Sequence, residues 1–114
     1  MRPIHTDSIE IVEGKLYAHF NCILFQDKYD NKDLFVGIIP TLKLTAKSLD
    51  KEDLNEKLNL VLKKFFSFYQ GDKLDKELKR LGWDNNFQPP VSITVPSQAL
   101  YGKTETKDLE FECI

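Results

Sequence analysis

Glycine is scarce in this chain, and the few glycines present form no phosphate-binding pattern. The 5 glycines among 114 residues are scattered singly. Nucleotide-binding loops need several glycines close together, because the backbone must approach a phosphate closely. No serine is flanked by glycines in the way that a nucleophile elbow requires. The sequence therefore contains neither of these two signatures of catalysis.

Cysteine is also rare, since the chain contains only Cys22 and Cys113. Structural zinc sites use cysteines and histidines in closely spaced pairs, and the two cysteines have no such spacing. Cys22 lies in an apolar stretch, so we expect a buried free thiol there. A disulfide with Cys113 requires an oxidising compartment.

Long apolar runs and an excess of one charge sign are missing too. No segment approaches the roughly 20 apolar residues of a membrane-spanning helix. Residues 1–10 lack the apolar segment of a signal peptide. The formal net charge is −2, without the basic excess typical of nucleic-acid binding. We therefore expect a cytoplasmic protein that binds neither a membrane nor, directly, nucleic acid.

What the chain does contain is enough apolar material for one core. Hydrophobic residues make up 41% of it, including 8 phenylalanines. The pattern predicts an α+β fold, a two-layer sandwich in which an antiparallel meander of three to four strands packs against one long helix. A short second helix and a C-terminal tail with a terminal strand follow. We expect residues 1–83 to form the domain, and residues 84–114 to pack on it or to be exchanged in an oligomer.

Alternation of apolar and polar residues predicts the strands. The second strand should turn alternate residues from Leu16 to Leu24 toward the core, and its opposite face should be covered at the far end. The charged residues 27–33 are predicted to form a loop. The predicted strands are residues 8–12, 15–26, 34–39, 41–46 and 109–113, and residues 91–95 fit a further one.

The long helix is predicted at residues 50–70, with Asp50 as the N-cap and Gly71 after its end. Leu60 lies opposite the centre of the apolar face and Phe66 lies toward its edge, so these two are the candidate protein-interface residues. The shorter helix should begin at an Asp72 cap and stop at Gly82, with Trp83 packing against its end. The residues expected to face the core from the long helix are Leu54, Leu58, Val61, Leu62, Phe65, Phe68 and Tyr69.

Candidate catalytic pairs are lacking as well. His19 and Cys22 are three residues apart on a predicted strand, so their side chains should point to opposite faces. A cysteine nucleophile needs its base within hydrogen-bond reach, and we therefore expect no catalytic residue.

The acidic residues give only a weak indication of a metal site. Asp27, Asp30 and Asp33 have an every-third spacing that resembles a calcium loop, but the central glycine and the terminal glutamate are absent. Helix-dipole stabilisation accounts for the acidic residues near Glu52. We expect no metal and no cofactor. Two alternatives stay open, a metal-dependent nuclease-like remnant using these carboxylates, and a structural or ligand-binding domain of unrelated function.

The order of the predicted elements resembles that of HicB-like antitoxin domains. A strand, a charged hairpin and a second strand lead into Pro40-Thr41-Leu42, a third short strand and an acidic-capped helix that carries aromatic residues. The segment from Leu74 to Trp83 is similar to the second helix of single-domain members of that family. The segment Val95-Pro96-Ser97, which is followed by a terminal strand, also resembles members of that family.

This resemblance implies a non-catalytic protein-binding module that neutralises or regulates a small toxin ribonuclease of the HicA type. It also implies a sheet-and-helix fold that self-associates, so a homo-oligomer is expected. Residues after Trp83 show no helix-turn-helix or ribbon-helix-helix pattern, and DNA binding is therefore not implied.

Overall fold

The computed structural model describes residues 7–90, 93, 95–97, 99 and 102–112, of which Phe111 and Glu112 are described by their backbone alone. This part of the chain forms the predicted α+β sandwich. The strands are β1 (Ser8–Val12), β2 (Lys15–Tyr29), β3 (Lys32–Ile39), β4 (Leu44–Ser48) and β5 (Lys103–Glu112). The helices are α1 (Lys51–Phe68) and α2 (Asp72–Arg80).

The long strand β2 organises an antiparallel sheet by pairing along both of its edges. Residues 15–19 pair with β1 and residues 23–29 pair with β3, both on one edge. The other edge pairs with β5 over residues 15–24. Strand β4 then pairs with the far side of β3. The four-strand meander predicted from the sequence is thus present, and the terminal strand joins it beside β2 rather than beside β4.

The segment 27–33 is not the predicted loop, because β2 and β3 continue through most of it. The pairing runs on to Tyr29 and Lys32. Asp30 and Asn31 both have positive φ angles, of 50° and 62°, the backbone of a two-residue turn whose twist matches the strands it joins. Asp and Asn are the non-glycine residues that tolerate this conformation best. The charged segment is therefore a long hairpin tip.

The third predicted strand, residues 41–46, is displaced along the chain. Residues Thr41 to Lys43 form a turn closed by a bond from the Leu42 amide to the Ile39 carbonyl. The strand runs instead from Leu44 to Ser48. Leu42 is still buried, as expected, but from the turn. Because Leu42 is buried from a turn, an apolar residue there looks like a core position of a strand, and alternation alone therefore placed the strand too early in the chain.

Helix α1 begins where the capping residues predict. The Asp50 side chain accepts a hydrogen bond from the Glu52 amide at 3.1 Å. The Ser48 hydroxyl accepts from the Asp50 amide and donates to Asp53. Hydrogen bonds from Lys57 and Ser48 hold the pKa of Asp53 below its ordinary value. The bond from the Glu52 amide satisfies one of the donors that the first helical turn otherwise leaves without a partner.

The junction between the helices differs from the prediction. Helix α1 ends at Phe68 with Tyr69 as its C-cap. Gly71, with a φ of +59°, is the N-cap of α2, so the predicted cap at Asp72 is wrong. Helix α2 ends at Arg80 with Leu81 as its C-cap, and Gly82 follows the end of the helix as predicted. The amides of Gly82 and Trp83 donate back to the carbonyls of Lys79 and Leu78.

The main core lies between the inner face of the sheet and the two helices. Alternate β2 residues from Leu16 to Cys22 are buried there, as the parity of the strand predicts. The ring of Phe20 stacks on Phe66 with centroids 6.0 Å apart and meets Trp83 edge-on at 6.3 Å. Strand β2, helix α1 and the end of α2 therefore converge on one aromatic cluster.

The outer face of the sheet is covered over the far part of β2 and β3, as expected. Val36 and Ile38 are buried there with Ala99, and Val95 packs against them. Val95 and Ala99 thus form a strap across the hairpin. The predicted strand 91–95 lies mostly outside the described residues, as does Cys113. Within the described ranges no helix is long and apolar enough to cross a membrane.

Candidate protein-interaction site

The two interface residues chosen from the sequence lie in different environments. Leu60 is 50% exposed on the solvent side of α1, opposite the core. Phe66 is only 1% exposed and stacks on Phe20. The interpretation of Phe66 as an apolar residue that the core does not need is wrong, because β2 and Trp83 enclose it. Phe68, which was assigned to the core, is instead 67% exposed.

A second candidate surface lies on the outer face of the sheet, in a part that none of the described residues crosses. Strands β1, β2 and β5 form a shallow concavity of about 430 Å³ there. It is lined by residues from all three strands, namely Ser8, Glu10, Tyr17, Ala18, His19, Asp108, Leu109 and Glu110. This surface is called the acidic face below, because its charged lining is dominated by the carboxylates of Glu10, Asp108 and Glu110.

Cross-strand pairs arrange the side chains of the acidic face. His19 lies directly opposite Asp108 in the ladder, and its Nδ1 contacts the Asp108 carboxylate. Lys15 donates to Glu110 at 3.3 Å. Tyr17 lies between these pairs and is 41% exposed. Because tyrosine supplies a large contact area with few rotatable bonds, it is a typical anchor for a protein partner.

A buried carboxylate fixes the strand junction next to this face. Asp7 accepts hydrogen bonds from the amide and the side chain of Asn21, at 2.9 and 2.6 Å. Its second oxygen accepts from the Thr41 hydroxyl at 2.6 Å. Thr41 in turn accepts from the Trp83 indole at 2.9 Å through its carbonyl. Asp7 therefore bridges the gap along β2 between β1 and β3, a role that the sequence did not reveal.

A cleft opens on the inner side, between the first turns of α1 and the strands β2, β3 and β5. Its volume is about 260 Å³, and its walls include the half-buried Leu24 and Phe35 and the buried Leu54. Lys51 and Lys103 lie on its polar rim. An apolar interior with a few polar groups at the mouth is typical of small-ligand sites.

The candidate metal ligands are not brought together. Asp27, Asp30 and Asp33 are spread along the hairpin tip, where Asp33 accepts from Lys28 at 2.6 Å. Glu52 lies in the first turn of α1. Among the residues that the structure describes, no group of three His, Cys, Asp or Glu side chains has the geometry to hold a metal ion.

The Cys22 thiol is enclosed in the core and lies on the opposite strand face from His19. Burial raises the pKa of Cys22 to about 11, and nearby Glu105 adds to the rise while Lys107 opposes it. A thiol needs to be ionised to act as a nucleophile. Near neutral pH Cys22 is therefore protonated and acts as a small apolar residue of the core.

The geometry thus offers three candidate sites for function: the acidic face, the exposed side of α1, and the cleft beneath the first turns of α1.

Comparison of this chain with models of protein families, with characterised proteins and with solved structures finds no match.

Proposed function

We propose that this protein is a non-catalytic binding module, of the kind that HicB-type antitoxins are, which neutralises or regulates a small toxin ribonuclease. The acidic face is the observation that carries the proposal. Three carboxylates, those of Glu10, Asp108 and Glu110, surround an exposed tyrosine on a sheet held rigid by pairing on both edges of β2.

A ribonuclease has to bind the phosphates of its substrate, so its active surface carries lysine and arginine. An inhibitor that covers such a surface needs the opposite charge, because complementary charges accelerate association and select the correct partner. The acidic face keeps an excess of carboxylates for this role, since Glu10, Asp108 and Glu110 share it with one lysine, Lys15, and with His19. Tyr17 supplies the aromatic anchor. The element order that resembles HicB-like domains is the second support.

Co-expression with the product of the neighbouring reading frame tests the proposal. The two proteins are expected to co-purify, and the purified chain is expected to suppress cleavage of RNA by its partner. Failure to co-purify would sink the toxin assignment.

A set of isosteric substitutions locates the binding surface. Glu10→Gln, Asp108→Asn and Glu110→Gln together remove the charge of the acidic face with little change in shape. This variant is expected to associate at least tenfold more slowly, with a weaker dependence on salt. Asp27→Asn, Glu56→Gln and Asp75→Asn remove the same charge from exposed positions elsewhere and serve as the matched control. Equal slowing in both variants would contradict a role for the acidic face.

Self-association is part of the same proposal, because the family resemblance implies it. Light scattering over a wide range of concentrations measures the mass directly. A mass of 13.3 kDa for the single chain, retained at high concentration, would argue strongly against a homo-oligomer.

The cleft favours a second candidate function, a ligand-binding domain. Its apolar walls and Lys51 at the rim suit an amphipathic carboxylate, which would also compete with Glu105 for Lys103, since these two form an ion pair at 3.6 Å. Titration of the ¹⁵N-labelled protein with decanoate is expected to shift amides of Leu24, Phe35 and Leu54. Decanol, which lacks the charge, serves as the control, and equal shifts with both compounds would exclude recognition by the lysines.

A further inference from the structure

The second half of α1 exposes two large apolar side chains on its solvent side. Leu60 is 50% exposed and Phe68 is 67% exposed. They lie eight residues apart with Lys64 midway, and residues four apart on a helix follow one another along the same side. Leu60, Lys64 and Phe68 therefore form a line about 12 Å long on the surface of the helix.

Positive charge accompanies this line and is not neutralised nearby. Lys63 and Lys64 are exposed, and the Lys73 ammonium of α2 lies 5.8 Å from the centroid of the Phe68 ring. None of these three lysines takes part in an ion pair with another described residue. Residues 58–70 contain no aspartate or glutamate. The set Leu60, Lys63, Lys64, Phe68 and Lys73 is called the lysine strip below.

We propose that the lysine strip is a docking surface for a short acidic segment of a partner protein, with apolar side chains that contact Leu60 and Phe68. Charge complementarity selects the partner, since carboxylates of the segment replace the ion pairs that the lysines lack. The exposed aromatic ring with a lysine beside it supplies the apolar contact. This inference goes beyond the function proposed above, because the strip is on the helical layer and the acidic face is on the far side of the sheet.

Three features favour a protein segment over a nucleic acid. Leucine cannot stack on a base, and aromatic residues or arginine are the usual stacking partners. The strip holds no arginine. Carboxylates lie near both ends of its helical part, Glu56 before it and Asp72 and Asp75 beside Lys73. Residues 59–68 of α1 span about 15 Å, so a long polyanion would meet these carboxylates, whereas a short segment fits between them.

Titration of the ¹⁵N-labelled full chain tests the proposal. The probe is a synthetic amphipathic peptide of about 10 residues, roughly 15 Å long as a helix, rich in Glu, with Leu and Phe along one side. A shuffled peptide of identical composition, whose apolar residues are dispersed, separates shape from charge. A short oligouridylate tests binding of nucleic acid at the same place.

Two pairs of variants identify the contacts. Lys63→Glu with Lys64→Glu reverses the charge of the strip, and Lys32→Glu with Lys47→Glu makes the same change elsewhere. Leu60→Ser with Phe68→Ser removes the apolar contact, and Tyr29→Ser with Leu49→Ser removes exposed apolar residues elsewhere. All eight positions are exposed, and unchanged unfolding midpoints confirm that each variant keeps its fold.

The expected result is a set of amide shifts centred on residues 60–73 with the amphipathic peptide. Its dissociation constant is expected to rise at least tenfold in both strip variants and to stay within about twofold in both controls. No shift at about 1 mM peptide, or equal affinity for the shuffled peptide, overturns the proposal. Tighter binding of the oligouridylate at the strip overturns it in favour of a nucleic acid. A drop in the native mass of the strip variants overturns it in favour of a second copy of this chain.

Discussion

At the scale of single residues, Asp7 joins three separate parts of the chain. One oxygen of its carboxylate binds Asn21 of β2 and the other binds Thr41 of the turn before β4. The side chain is buried, so water cannot replace these bonds. Removing one partner from a buried hydrogen-bonded network leaves the others without partners, which is more costly than losing an exposed bond.

Asp7→Ala is therefore expected to lower the free energy of unfolding by about 3 kcal/mol, because bonds to a charged group are lost and buried donors are left unpaired. Denaturant unfolding monitored by Trp83 fluorescence measures the change. Asp27→Ala is the matched control, since that aspartate is exposed on the hairpin, and should cost less than about 0.5 kcal/mol. Similar losses in the two variants would contradict a structural role for Asp7.

Cys22 gives a pH-dependent prediction. Burial raises the pKa of its thiol from 9.0 to about 11 in the folded protein. The unfolded chain releases the proton first, so the stabilising contribution is complete below pH 9 and disappears as the pH rises through about 11. The stability difference between the native residue and Cys22→Ala should shrink over this range. The unfolding free energies of both proteins are measured in a Cys113→Ser background, which removes the second thiol. If their difference stayed constant with pH, the raised pKa of Cys22 would be refuted.

At the scale of elements, helix α1 shows what a helical period can and cannot decide. Phe66 and Phe68 lie on opposite flanks of the apolar face, each about 80° from its centre. Periodicity placed Phe68 on the apolar face and Phe66 at its edge, and the packing reverses this assignment. The structure buries Phe66 because Phe20 and Trp83 lie on that flank. Among the described residues no strand or helix buries Phe68 on the other flank.

Substitutions of Phe66 and Phe68 test the assignment of Phe66 to the core and of Phe68 to the surface. Phe66→Ala is expected to cost about 3–5 kcal/mol, because a large buried ring is replaced by a cavity. Phe68→Ala should change the free energy of unfolding by less than about 1 kcal/mol. Chemical denaturation of the two variants is the measurement. If Phe68→Ala proved the more damaging, the orientation of α1 on the sheet would be wrong.

The sequence predicted most of the strands, because burial of one sheet face imposes a period of two. It predicted the start of α1, because capping is local chemistry. The turn at Asp30 and Asn31 was missed because it contains no glycine. The acidic face was missed because it depends on the register of β5 against β2, which brings Lys15 and Glu110 together from far apart in the chain. Leu60 was identified correctly as exposed, since it lies opposite the core.

The packing of α1 onto β3 depends on a missing side chain. A Cβ atom at Gly37 would lie 2.6 Å from Cδ1 of Leu58 and 3.1 Å from Cδ2 of Leu24. Gly37→Ala is therefore expected to cost about 1–3 kcal/mol through overpacking. Leu58→Val should relieve part of this strain, so the double variant should be more stable than the sum of the single effects predicts. Strict additivity in denaturation measurements would show that the two residues do not touch.

At the scale of the whole molecule, the C-terminal part completes the domain from two sides. Strand β5 covers one edge of β2 over residues 15–24. The strap formed by Val95 and Ala99 packs against Val36 and Ile38 on the outer face. Removing both would leave a long unpaired strand edge beside newly exposed apolar side chains, a combination that promotes association between chains. The sequence predicts that this tail packs on its own domain or is exchanged in an oligomer, and the choice between the two stays a prediction.

A chain that ends at residue 90 is therefore expected to aggregate or to lose cooperative unfolding. Size-exclusion chromatography with light scattering, together with thermal unfolding, measures both outcomes. A chain that ends at residue 112 is the control, because it keeps β5 and should behave as the full protein does. A synthetic peptide covering residues 91–114 should restore cooperative unfolding when added to the shortened chain, since a strand supplied from outside can pair with an open edge. If the shortened chain alone unfolded cooperatively at the original midpoint, the tail would be an appendage rather than part of the fold. The acidic face, which includes Asp108 and Glu110 of β5, would then lack the rigid support on which the proposed function depends.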